Sequence, residues 1–151
     1  MPDRRSVLRP CAGVLLAAAA LGLLGGCGSR KYPVTGKVVF KDDGSPLPGG
    51  VVVFSPADPA NLVGARGYVE LDGTFELSTD RPGDGSLAGR YQVLVRGPSP
   101  GGGEDNPLRN RPLIDLKYSR FETSGIELEV KPGKNHFTIE VERPPGARRT
   151  P

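Results

Sequence analysis

Few residues in this 151-residue chain combine the type and spacing that catalysis or metal binding needs. His136 is the single histidine and begins the last strand-like stretch, beside a turn. Zinc sites draw on several His or Cys ligands, and an activated nucleophile needs a base oriented by a third group. His136 alone supplies neither. Carboxylates come in pairs, Glu127 with Glu129 and Glu140 with Glu142. Paired acids can hydrolyse glycosides, but these alternate with apolar residues, as acids on the wet face of an antiparallel sheet do. Asp42-Asp43-Gly44 starts like a calcium loop and lacks the further spaced acids and the closing Glu. Gly101, Gly102 and Gly103 follow Pro100 without the Lys-Ser/Thr of a phosphate loop. Lys37, Asn135 and Glu76 are types that can close a Lys–Asn isopeptide bond, provided the Lys is buried and loses its proton. A solvent-facing Lys37 and a turn Asn135 are expected instead. Tyr32, Tyr68 and Tyr118 are the aromatics placed to stack on a sugar in a chain without Trp. The expectation is a non-enzymatic protein, with no catalytic residue, no metal and no cofactor.

The elements that must position these residues begin with a segment of a different kind. Arg4, Arg5 and Arg9 precede an uncharged run, residues 11–24, rich in Leu and Ala. A basic start, a short apolar stretch and small residues after it are the parts of a secretory signal. The run falls short of the roughly 20 residues that span a bilayer. Its end, Leu24-Gly25-Gly26-Cys27, resembles a bacterial lipobox. That resemblance implies diacylation of the Cys27 sulfur, cleavage after residue 26, and a mature chain held on a membrane by its acyl chains. The small neighbours let a peptidase approach, and a thiol is suited to accept the lipid. Several chains make a stable anchor, at about 0.8 kcal/mol per buried CH₂. Arg4-Arg5 also resembles a twin-arginine export motif, so Sec and Tat export both stay open. Cys11 leaves with the signal and Cys27 carries lipid, so the mature domain has neither thiol nor disulfide. Removing residues 1–26 takes Asp3 and the three Arg with it. The formal charge of +3 therefore falls to near neutral, and no nucleic-acid partner is expected.

The remaining chain is rich in turn formers, with 22 Gly and 16 Pro. Both break helix interiors, and one small domain is the most this length allows. Val34–Lys41 reads as a strand, and Asp42-Asp43-Gly44 as a turn. The apolar run Val51–Phe54 suits a strand buried on both faces or at a sandwich core. Asp72-Gly73 marks a tight hairpin, and Tyr91–Val95 a clear strand. Leu113–Tyr118 reads as a short strand and Phe121–Ser124 as a connection. Ile126–Val130 and Phe137–Val141 alternate apolar with polar residues, joined by a turn at Lys131–Asn135. Residues 55–64 and 97–112 are long loops. About seven short strands at close intervals predict an all-β fold, a single antiparallel β-sandwich.

The order of motifs supports this. Val34-Thr35-Gly36-Lys37-Val38-Val39-Phe40, Pro46-Leu47-Pro48-Gly49-Gly50, Leu71-Asp72-Gly73-Thr74-Phe75 and Ala88-Gly89-Arg90-Tyr91 together resemble the carboxypeptidase regulatory-like domain, a transthyretin-like sandwich. Lys117-Tyr118, Thr123 and Lys131-Pro132-Gly133 resemble small bacterial lipoproteins that carry one such domain. Leu47 should plug one end of the core. The expected organisation is a signal peptide over 1–26, a lipidated tether over 27–33, the sandwich over 34–142 and a disordered tail over 143–151. The expected role is a structural or protein-interaction module of the bacterial cell envelope, anchored through Cys27. Gly28-Ser29, with no Asp after the Cys, favours the outer membrane over the inner. Envelope proteins or glycans are the expected partners. The alternative is a carbohydrate- or peptide-binding module using loops 55–64 and 97–112.

Overall fold

A computed structural model describes residues 30–98 and 112–146. Two-residue strands β1 (Lys31–Tyr32) and β6 (Ser86–Leu87) pair as a small ribbon. The other strands are β2 (Val34–Phe40), β3 (Gly50–Pro56), β4 (Ala65–Val69), β5 (Thr74–Glu76), β7 (Gly89–Arg96), β8 (Ile126–Val130) and β9 (Asn135–Val141). They form one seven-stranded sheet in the order β8-β7-β3-β4-β5-β2-β9. The protein is mostly β, as expected. Alternation decides which side chains enter the core. Val34, Val38 and Phe40 of β2 point inward, as do Val52 and Phe54 of β3, Tyr91, Val93 and Val95 of β7, and Ile139 and Val141 of β9. Val51 and Val53 stay half-exposed, so β3 is buried on one face rather than two. Leu47 is fully buried in the same cluster, and Asp72-Gly73 does turn the β4–β5 hairpin, with Gly73 at φ 83°.

The strands are not antiparallel throughout. β2 and β9 run parallel from Val34↔Asn135 to Phe40↔Val141. Residues 131–134 join β8 to β9, yet these strands lie at opposite margins of the sheet. So short a link forces the margins together, and the sheet is nearly closed. The Asn135 side chain ties this link, accepting from Lys131 N at 2.9 Å and donating to Lys131 O and Gly133 O at 2.9 and 3.1 Å.

One expectation fails locally. Leu113–Tyr118 is no strand: Leu116–Ser119 is a 3₁₀ turn, and α1 (Phe121–Ser124) follows. Asp115 caps the turn by accepting from Lys117 N at 2.9 Å. Gly125 ends α1 in the left-handed region. Within the stretch 27–33, Lys31 and Tyr32 pair as β1. After β9, Arg143 lies 3.7 Å from the Phe40 ring centroid and bridges Asp42 and Asp43.

Register defines two ends. Val130 lies by Gly89, Pro56 by Tyr91, Ala65 by Phe54, and Asn135 by Val34. Chain entry at Arg30, residues 57–64, 77–88 and 131–134 therefore share one end. Residues 41–49, 70–73, 97–98 and 112–125 share the other.

Closure leaves no room at Gly36. A Cβ there would sit 2.4 Å from Phe137 O and 2.5 Å from the Phe75 ring. Backbone on one side and a buried ring on the other cannot both withdraw. Gly36→Ala is expected to cost about 1–3 kcal/mol, the usual range for overpacking. The check is a lower urea midpoint at unchanged slope.

Candidate functional site

Two places gather side chains that are scattered in sequence. The first is where the chain enters the fold. Lys31 donates to Asp84 at 2.6 Å and also pairs with Asp80. The Asp84 carboxylate accepts from Thr79 N at 2.7 Å and from Asp80 N and Arg81 N, each at 3.2 Å. One side chain thus organises residues 79–85 and clamps β1 onto them. Partial burial pushes the Asp84 carboxyl upward, but the Lys31 ammonium and the three backbone N–H groups outweigh it. They hold Asp84 far below the ordinary carboxylate range. Hydrogen bonds to Asp80 and Asp84 raise Lys31. Gly85, at φ 77°, lets the loop pass Tyr32, whose carbonyl would lie 1.9 Å from a Cβ. The sequence reading missed this clamp. Its only local sign is two acids four residues apart in a Pro/Gly loop.

The second place is a row across the outer face of β4, β5, β2 and β9. Thr35 is the register partner of both Glu76 and His136, and its hydroxyl lies 3.1 Å from His136 Nδ1. Val69 pairs with Phe75, so Tyr68 stands beside Glu76. These four residues, with Glu70 and Ser78, line an open groove of about 630 Å³. Tyr68 is 68% exposed there. An aromatic face, two carboxylates and a hydroxyl–imidazole pair offer stacking and hydrogen bonding in one place.

The other candidates separate. Asp43 accepts from Ser45 N and Oγ at 2.9 and 2.6 Å. Those bonds, with Arg143, hold its carboxyl low, and the Asp42-Asp43-Gly44 turn is a capped turn. Among the described residues, no group of three or more His, Cys, Asp or Glu could hold a metal ion. Glu127, Glu129 and Glu140 face water. Glu142 pairs with Lys117 at 2.6 Å and Lys41 at 3.5 Å. Lys37 is half-buried on β2, with Thr138 as its register partner, while the Asn135 amide is committed to its turn. Tyr118 is buried and Tyr32 half-buried, which leaves Tyr68 as the exposed ring of the three. Residues 57–64 and residues 97–98 leave the sheet at opposite ends. Arg4, Arg5, Leu24, Gly25, Gly26 and Cys27, and residues 99–111 of the second loop, lie outside the described residues.

No family model matches the chain, and no curated protein does. Among solved structures it is similar to a DUF3823 family protein from Parabacteroides merdae, with 15% identity and a TM-score of 0.41. The likeness covers 77% of this chain and 48% of that one. It is also similar to a 9R-lipoxygenase from Cyanothece, with 16% identity, a TM-score of 0.42, and coverage of 78% of this chain and 18% of that one. The chain thus spans about half the length of the first and under a fifth of the second. Likenesses this loose carry no activity across.

The clamp sets a dependence on pH. A carboxylate depressed in the native state stabilises fully above its unfolded pKa of about 3.9. That contribution shrinks as pH falls below this value toward the native one. Asp84→Asn is expected to lose about 1–3 kcal/mol near pH 6, and less near pH 3. Urea midpoints of both proteins at the two pH values check this.

Proposed function

We propose that the protein is a lipid-anchored module of the bacterial cell envelope, exported by residues 1–26, acylated on Cys27, and non-enzymatic. On this reading the nearly closed sheet is a transthyretin-like sandwich of the carboxypeptidase regulatory-like type, which acts as a structural or protein-interaction unit. The observation that carries the reading is the placement of the clamp. Strand pairing starts at Lys31, four residues after Cys27, and Lys31 is the residue that Asp80 and Asp84 grip. A pull on the anchor would reach the domain through that grip. The marginal strands β8 and β9 each have one unpaired edge among the described residues, where a partner strand can add. Exposed Glu127, Glu129 and Glu140 keep those edges from pairing indiscriminately. The outer membrane is the favoured location, by the residues after Cys27.

Intact and peptide mass spectrometry of protein from its native membrane tests the anchor. The expected mature chain starts at an acylated Cys27, and Cys27→Ala loses both the acyl mass and the membrane fraction. An unmodified Cys27, or a chain that keeps its first 26 residues, overturns the reading.

The exposed Tyr68 favours a second reading, a carbohydrate-binding module. Its site would be the outer-face row rather than the two long loops, with a sugar ring on Tyr68 and its hydroxyls on Glu76, Thr35 and His136. Co-sedimentation with peptidoglycan sacculi and with neutral polysaccharides tests it. Tyr68→Ala is expected to reduce retention several-fold without moving the urea midpoint; equal retention by both proteins rejects this site.

A further inference from the structure

We propose that the end at which the chain enters is a lipid-facing surface, with the tip of loop 57–64 seated in the interface of the anchoring membrane. The inference rests on the Cys27 anchor proposed above. Only residues 28 and 29 separate Cys27 from Arg30. Three extended residue steps span at most about 10 Å, comparable to the roughly 5–10 Å that apolar groups bury in the headgroup boundary. An acylated Cys27 therefore holds this end of the domain against the lipid.

The loop that meets the lipid there has an inverted pattern. Ala57 N donates to Arg90 O at 2.9 Å. The base of the loop thus lies three residues from Leu87, the partner of Lys31 in the entry ribbon. Within the loop the polar side chains serve the backbone. Asp58 accepts from Ala60 N at 2.8 Å, and Asn61 from Val63 N at 3.1 Å. The apolar side chains face outward instead, with Leu62 89% and Val63 42% exposed. Such a tip suits a medium that is not water. The charges around it fit lipid headgroups as well. Exposed Lys131 and Lys134 flank the β8–β9 link at the same end, joined by Arg30 and Arg81, where anionic headgroups attract cations. The acids of this end are occupied, Asp80 and Asp84 by Lys31 and Asp58 by its own loop. The far end differs in kind. Leu71, Leu113 and Leu116 are exposed there, but Glu70, Asp72 and Asp115 are their neighbours in the chain, acids that anionic headgroups repel. The strands would thus rise from the membrane, with residues 97–98 and 112–125 distal.

The chain has no Trp, so Leu62→Trp and Leu71→Trp each place a single indole, at the near and far ends. The acylated full chain of each variant is reconstituted in phosphatidylethanolamine–phosphatidylglycerol vesicles carrying brominated acyl chains, and its mass is taken from the same preparation. The expected result is an acylated Cys27 in both, loss of most of the Leu62→Trp emission with a blue shift, and an unquenched Leu71→Trp. An acylated protein in which the two indoles are quenched alike, or neither is, overturns the orientation and leaves the anchor standing. A mass without acyl chains overturns the anchor and this inference with it.

Discussion

A four-residue link between strands at opposite margins of one sheet is the constraint on which this fold depends. Residues 131–134 leave β8 beside β7 and deliver β9 beside β2, so five strands must curl between them. Curling gives the sheet an inner face, and alternation within each strand fills that face with Val, Ile, Leu and Phe. It also sets the first long strand parallel to the last, since no other approach brings β9 to the open edge of β2. The consequences are local and severe. Gly36 has no space for a Cβ between Phe75 and the β9 backbone. The buried Tyr91 needs partners for its hydroxyl, which accepts from Ser86 Oγ at 2.9 Å and donates to Leu87 O at 3.0 Å. Buried polar groups left unpaired would cost more than these bonds gain.

Closure also gives the molecule two unlike ends. At one, the entry ribbon, the clamp on Lys31, the basic β8–β9 link and the apolar tip at Leu62 lie together. At the other, Arg143 stacks on Phe40 between Asp42 and Asp43, and Glu142 takes Lys117 and Lys41. The pairs with Lys41, Asp42 and Asp43 join residues about a hundred positions apart, and they fasten the last strand where the parallel pair ends. On the proposed reading, the end where the chain enters serves attachment and the outer face bearing Tyr68 serves recognition.

Local features of the fold were legible because their causes are local. Asp72-Gly73 turns a hairpin since Gly73 takes a positive φ and Asp72 accepts from Thr74 N. The alternation in β8 and β9 and the plug at Leu47 follow from residue order within a few positions. Leu113–Tyr118 misled because Asp115 caps a 3₁₀ turn at Lys117 N and Gly125 ends the short helix after it. Val51–Phe54 left the matter open, because an apolar run says nothing of how many faces are covered.

For the candidate site the balance differs. Sequence order by itself determined the basic-then-apolar pattern that ends at Cys27, the lone His136, the near balance of acids and bases after residue 26 and the four-residue spacing of Cys27 and Lys31, all of which need no partner to be read. Only the tertiary structure decided that Lys31 meets Asp84, that Tyr68, Glu76, Thr35 and His136 align in one row, and that residues 57–64 and 97–98 leave from opposite ends. The physical reason is register. Which side chains become neighbours across a sheet depends on the pairing of strands distant in the chain, and here that pairing is imposed by one short link near the C-terminus.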